Sequence, residues 1–174
     1  LLGDRLLRLR DPRRFGAVLW APGDPSGHKL IAHLGIEPLS RALDAKRLHA
    51  LTRGRRTAIK LLVMDARLIV GVGNIYASES LFRAGIDPRK PAGKISLEKS
   101  RQLSAAIKHT LQKAIRAGGS TLRDFVGADG ASGYFQQRHW VYDREGKPCR
   151  RCGAKVRRVV QGQRSTFYCP TCQS

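Results

Sequence analysis

Apolar residues recur along this chain with two different periods, and the change of period divides it. From Asn74 to Ala84 the apolar or small residues Ile75, Ala77, Ser78, Leu81 and Phe82 repeat at helical spacing, which predicts an amphipathic helix ended by Gly85. Ser96 opens a longer predicted helix, with Leu103, Ile107, Leu111, Ala114 and Ile115 as one buried stripe and Lys99, Lys108, Lys113 and Arg116 turned to solvent. Gly118 and Gly119 stop it, and the stretch 44–126 as a whole reads as helical.

On either side the pattern is that of strands. "RLLRLR" and "FGAVLW" in residues 1–20 read as two strands joined by "DPRR", with Pro12 as the turn residue. Near the other end "KVRRVV" and "STFYC" have strand composition, and the glycine of "QGQ" at 161–163 marks a hairpin turn. Residues 21–43, punctuated by Pro22, Gly23, Pro25, Gly27, Gly35 and Pro38, read as a linker with a short ordered stretch, and a glycine-rich loop, "GADGASGYF", leads from the helices to the hairpin.

Composition bounds what such a chain can do. Its 174 residues, 41% of them hydrophobic, can bury the core of one medium domain or two small ones. Lys and Arg number 33 against 13 Asp and Glu, a net charge of +20 that calls for a polyanionic partner, nucleic acid first. An anionic membrane surface or a general preference for arginine gives the same sign. No run of 18 apolar residues and no secretory signal is present, so a membrane span is not expected. The one methionine is Met64 and residue 1 is a leucine, so these residues are expected to be part of a longer chain.

The cysteines are spaced C-x2-C-x16-C-x2-C, as Cys149, Cys152, Cys169 and Cys172. That is the spacing of a zinc ribbon, and four thiolates leave no open coordination position, so one structural zinc ion is expected rather than a catalytic one. Two disulfides are the alternative, disfavoured by adjacent Cys-x-x-Cys pairs in a chain without a secretory signal. A zinc-clamped hairpin would carry Gln161, Gln163 and Arg164 at its tip, a shape that fits a DNA groove; alternatively Arg157, Arg158 and Arg164 solvate a small domain.

Gly71 and Gly73 stand directly before the helix that Asn74 begins. Glycines at a helix entrance admit close approach, and the free N–H groups there suit a phosphate, with Asn74 adding a neutral donor. A nucleotide loop fails on detail, because neither Gly-Lys-Ser/Thr nor a complete G-x-G-x-x-G is present. A DNA phosphate remains, beside the plainer reading of a turn between packed helices. Arg53, Arg55, Arg56 and Lys60 are brought towards the same end of the helical block.

"DPRRFG" at 11–16, "GVGNIYASESLFRAGIDP" at 71–88, "GGSTLRDFVGADGASGYF" at 118–135 and "QRSTFYC" at 163–169, with the cysteine spacing, resemble the C-terminal portion of bacterial formamidopyrimidine-DNA glycosylase, in order and over nearly the whole chain. The resemblance implies an α+β fold: two strands of an incomplete β-sandwich in 1–20, a linker at 21–43, a helix–two-turns–helix domain with a lesion-capping loop in 44–143, and a β-hairpin zinc finger in 144–174. It implies a monomeric cytoplasmic, nucleoid-associated protein of base-excision repair. Its partner would be damaged duplex DNA, from which oxidised purines (8-oxoguanine, formamidopyrimidine) are removed before β,δ-elimination at the abasic site. Arg13 would face the widowed cytosine and Phe15 would fill the gap left by the flipped base. Arg55, Lys60 and Asn74 match DNA-contacting positions, and Arg164 matches the finger arginine that holds the phosphate beside the lesion and is assigned as proton donor in δ-elimination. The loop 127–135 would close over the flipped base. The family's N-terminal proline nucleophile, the glutamate after it and a hairpin lysine have no counterpart in residues 1–174, so this stretch is expected to bind DNA without excising bases. The sister endonuclease VIII group, which prefers oxidised pyrimidines, and a non-catalytic module of the same fold are the nearest alternatives; an RNA-binding zinc-ribbon protein is a more distant one.

Overall fold

The computed structural model describes residues 9, 16–118 and 139–174. The chain forms two units, residues 1–33 and 34–174. In the first, a single 3-10 turn at Pro25–Gly27 starts at Asp24, whose carboxylate accepts the Ser26 N–H at 2.9 Å. Residues 17–20, expected as part of a strand, are in no named strand, and the expected partner segment 5–10 lies, except for Leu9, outside the described residues. The "DPRR" turn, with Arg13, and Phe15 after it lie outside the described residues.

The second unit is helical, with a hairpin appended. Asp44 starts α1 (Ala45–Thr52) by accepting the Arg47 N–H at 2.7 Å. Then come α2 (Ile59–Val63), α3 (Asn74–Ala84) and α4 (Leu97–Arg116), the last capped by Ser96, which accepts the Lys99 N–H at 3.1 Å. Leu48, Ile59, Leu62, Val63, Ala77, Leu81, Leu103 and Ile107 meet in one core, none more than 2% exposed. Each full burial of a large side chain there is worth about 1.5–3 kcal/mol relative to exposure.

Two details depart from the sequence pattern. Ile115, expected on the buried stripe, is 64% exposed, although its neighbour Ala114 is 2% exposed. Residues 34–43, read as linker, belong to the helical unit: Ile36 forms a parallel bridge with Ile69, and Leu43 is wholly buried. No helix among the described residues is long and apolar enough to cross a membrane.

The hairpin pairs β1 (Arg157–Gln161) with β2 (Arg164–Tyr168), Arg157 opposite Tyr168 at the base and Gln161 opposite Arg164 at the tip. Gly162 and Gln163 make the turn with φ of 52° and 59°, the primed geometry whose twist matches that of the strands. A Cβ at 162 would lie 2.9 Å from Leu61 Cδ2, a contact that the leucine side chain can relieve by turning. A second core joins hairpin and helices through Phe82, Val141, Val156 and Phe167, with Cys149 and Cys169. Helix α3 thus serves both cores, Leu81 in the first and Phe82 in the second.

Candidate nucleic-acid interface and zinc site

At the base of the hairpin the Sγ atoms of Cys149, Cys152, Cys169 and Cys172 all lie within 4.8 Å of one another. None is in a disulfide, and the contact between Cys152 Sγ and Cys169 Sγ is 3.5 Å, far beyond an S–S bond of about 2.05 Å. A tetrahedral zinc with bonds of about 2.3 Å brings its sulfurs to nearly this spacing. The first knuckle is pre-shaped by the backbone: Cys149 N–H donates to Ala154 O at 2.8 Å, Gly153 N–H to Cys149 O at 2.9 Å, and Arg151 N–H to Cys149 Sγ at 3.4 Å. The donor set and its geometry fit a closed, structural metal site and offer no open ligand position. The disulfide alternative is excluded.

At the tip, Lys60 of α2, Asn74 of α3 and β2 converge. Lys60 is wholly buried, and its ammonium donates to Asn74 Oδ1 at 2.6 Å, to Thr166 Oγ1 at 2.6 Å and to Ser165 O at 3.3 Å. All of its donors are therefore spent inside the protein. Asn74 Nδ2 in turn donates to Ser165 O at 3.0 Å and reaches Tyr142 Oη at 3.5 Å. Burial, and after it the charge of nearby Arg164, brings the Lys60 pKa down to about 8. The residue next to Ser165 is Arg164, exposed at the hairpin tip. One side-chain network thus sets the first residue of α3 beside the finger arginine.

The entrance to α3 is open. Gly71 has φ of 77°, a conformation that costs an L-residue strain, and Gly73 precedes Asn74 with no side chain capping the helix. Both glycines are exposed.

Two residues that sequence reasoning did not single out hold the finger against the helices. Glu79 of α3 is 4% exposed, and its carboxylate accepts the N–H groups of Trp140, Val141 and Tyr142 at 2.9, 3.0 and 3.0 Å. Gln173 accepts the Cys169 N–H at 2.9 Å and donates to Ile86 O at 2.9 Å. The signal for Glu79 was present: it stands four residues after Ile75 and three before Phe82, a carboxylate on the apolar stripe of a predicted helix. Nothing comparable marks Gln173.

Of the residues predicted from sequence, the fold brings Lys60, Asn74 and Arg164 together at the hairpin tip. Arg55 is exposed in the loop between α1 and α2, within electrostatic reach of Asp65 and with no hydrogen bond to that network. Arg53, expected in the same basic group, is exposed but engaged within the protein, donating to the carbonyls of Gly93 and Ile95. Lys99, expected in solvent, reaches the Ala84 and Gly85 carbonyls, both at 3.4 Å. Arg13, Phe15 and the loop 127–135 lie outside the described residues.

A helical unit, with four α-helices among the described residues and an open glycine turn before α3, joined to a four-cysteine hairpin, defines a helix–two-turns–helix protein carrying a zinc finger. Residues 34–126 match the formamidopyrimidine-DNA glycosylase H2TH domain, and residues 146–174 match the zinc finger found in FPG and IleRS. The chain belongs to the bacterial formamidopyrimidine-DNA glycosylase family, and its finger holds a structural zinc ion. It is 60% identical over 171 residues to the formamidopyrimidine-DNA glycosylase of Burkholderia cenocepacia, covering 97% of this chain and 62% of that protein. With the enzyme of Paraburkholderia phymatum it shares 57% identity over 176 residues, covering 99% of this chain and 64% of that one. Among solved structures it resembles the MutM (Fpg) protein of Thermus thermophilus, at TM-score 0.84 and 44% identity over 94% of this chain and 62% of that one. It also resembles Lactococcus lactis Fpg in complex with DNA containing an abasic site, at TM-score 0.75 and 34% identity over 83% of this chain and 53% of that one. The chain thus spans less than two thirds of the length of these relatives.

Proposed function

We propose that this chain is the duplex-gripping part of a base-excision repair glycosylase and AP lyase that acts on oxidised purines in DNA of the nucleoid, as a monomer. The observation that carries the reading is the Lys60–Asn74–Ser165 network, which fixes the open end of α3 and Arg164 on one basic corner. Backbone N–H groups at the α3 entrance and the amide of Asn74 suit one backbone phosphate. The guanidinium of Arg164 suits another, and two parallel N–H donors can hold a phosphate as it departs during δ-elimination. Phosphate stabilisation is the role the chemistry of a permanently charged guanidinium favours over literal proton donation.

The buried ammonium of Lys60 assigns it a different part from the direct contact expected of it. It fixes Asn74 and the Ser165 carbonyl, and through them the direction of β2. Arg13 would face the widowed cytosine, Phe15 would fill the gap left by the flipped base, and Arg55 would touch the backbone further along. The cysteines Cys149, Cys152, Cys169 and Cys172 hold the zinc that keeps the hairpin upright. The proline, glutamate and hairpin lysine of the family's excision chemistry are not among residues 1–174, so this stretch grips damaged DNA and by itself removes no base.

Anisotropy with an 8-oxoguanine duplex over a salt series tests the reading. Log affinity should fall against log salt with a slope of about −0.9 per phosphate contacted, and a nearly flat response would overturn it. Borohydride treatment should trap no adduct with these 174 residues; an adduct or strand cleavage defeats the non-excising part. Lactococcus lactis Fpg, 34% identical, is known in complex with DNA containing an oxidised pyrimidine, so the series should include such a lesion. Stronger binding to it than to 8-oxoguanine would favour the endonuclease VIII-like alternative.

A further inference from the structure

Much of the net charge of +20 lies away from the hairpin tip. Between the last turn of α3 and the middle of α4 runs a groove of about 380 Å³, lined by Arg83, Ala84, Gln102, Ala105, Ala106 and His109. Its floor is alanine, so no long side chain obstructs it. Its rim carries donors: the Arg83 guanidinium, the His109 imidazole and the Gln102 amide. The imidazole is held below its ordinary range, by burial first and then by the positive charges of Arg83, Lys113 and Arg116. That pattern places three permanent cations around one exposed histidine, with no carboxylate among the described residues acting on it.

The nearby acids are engaged elsewhere. Glu79, the one acid of α3, is spent on the backbone of residues 140–142. Glu98, the one acid of α4, is paired with Arg101 and accepts from Gln102 at 3.2 Å, so it touches only the far edge of the rim. Arg83 stands nine residues beyond Asn74 on the same helix, roughly 13 Å along its axis at 1.5 Å per residue. The groove is therefore separate from the corner where Asn74 and Arg164 meet.

We propose that this groove is a second phosphate-binding surface, occupied by the backbone of a duplex segment other than the one held at the Asn74 end. Arg83 and His109 take a phosphate on the alanine floor, and Lys113 and Arg116 extend the attraction to the phosphates that follow. Counterion release makes such a surface binding-competent without any base contact. A protein holding one segment at the tip and touching another at the groove can pass between segments without full release. The inference rests on the duplex reading above for its ligand class and adds a second place of contact.

The test uses the zinc-loaded chain and a duplex of roughly one helical turn, about 10 base pairs, at low salt. Stoichiometry is read by sedimentation, and the His109 ring signals by NMR. Two duplexes should bind the parent protein. His109 should move, and its pKa rise, only as the second equivalent is added, since a phosphate favours the imidazolium. Arg83→Ser with Lys113→Ser should weaken the second step about tenfold or more and leave the first unchanged. Saturation at one equivalent, a second equivalent indifferent to both substitutions, or an unmoved His109 overturns the proposal. If the double variant also loses the first step, the His109 titration in the parent protein alone decides. Absence of any duplex binding by the parent protein would sink the proposed function as well, and saturation at one would sink only the groove.

Discussion

Lys60 Nζ lies 2.6 Å from Asn74 Oδ1, joining two residues 14 positions apart at a point where neither touches solvent freely. The bond gives a buried cation its acceptor and turns the Asn74 amide N–H groups towards Ser165. Asn74→Asp separates these two consequences. A carboxylate keeps the ammonium paired but gives up the N–H bond to the Ser165 carbonyl, so the urea midpoint should fall less than in Asn74→Ala. The same negative charge at the phosphate corner should cut duplex affinity by about tenfold or more, read by anisotropy. Asn74→Ala should lower both, by roughly 1–3 kcal/mol in stability for the acceptor removed. Equal duplex affinity in the Asp variant and the parent would remove the phosphate from this corner.

The lowered Lys60 pKa sets a sign for stability against pH. The group takes up its proton near pH 8 when folded and near 10.5 when unfolded. Between those values the unfolded chain binds more protons, so the contribution of Lys60 to stability rises with pH from about 8 to about 10.5 and is level above. The parent protein minus Lys60→Met, compared by denaturant unfolding at pH 7.5, 9 and 10.5, should show that rise. A difference that falls or stays flat contradicts a desolvated ammonium.

Glu79→Gln replaces a carboxylate that accepts three backbone N–H groups with an amide that brings its own donor to the same place. The loss of charge-assisted bonds in a buried site should cost roughly 2–4 kcal/mol. Trp140 stacks on Phe82 at 5.7 Å, so in a Trp20→Phe background tryptophan emission in a thermal melt reports on residues 140–142. A melt unchanged by the substitution would show that packing, not the carboxylate, holds the finger.

Removal of zinc should unfold the hairpin and spare the helices. The core of α1 to α4 owes nothing to the cysteines, whereas Val156 and Phe167 pack around Cys149 and Cys169. Chelation should leave most of the helical circular dichroism, abolish amide protection in β1 and β2, and remove most duplex affinity. Affinity that survives chelation places the DNA surface away from the finger.

Arg164→Ala should lose roughly 1.5–3 kcal/mol of duplex binding, as expected for a charged hydrogen bond to phosphate, and reduce the salt slope by about 0.9. Arg164→Lys should restore the slope but only part of the affinity, because an ammonium cannot make the paired contact. Full recovery with lysine argues for a point charge and against a bidentate grip.

The α3 and α4 helices were legible because one apolar face repeats at helical spacing, and the zinc site because cysteine spacing is itself a geometric statement. Ile115 and residues 34–43 differ from the sequence pattern for a shared reason. Periodicity tells which face of an element is apolar, but not how far the neighbouring elements extend to cover it. In the sequence Lys60 is one more cation in a basic run, and its burial is invisible there, since Thr166 and Ser165 lie more than 100 positions away.

By itself, then, the sequence determined the local elements, the metal ligands and the family, all carried by neighbours or by fixed spacings. Tertiary structure alone decided which charges face water and which do not. A buried ammonium or carboxylate depends on acceptors and donors that folding brings from distant parts of the chain. For Lys60 these are on α3 and β2, and for Glu79 they are the N–H groups of residues 140–142. No spacing along the chain encodes those meetings; the packing of α3 against both cores creates them.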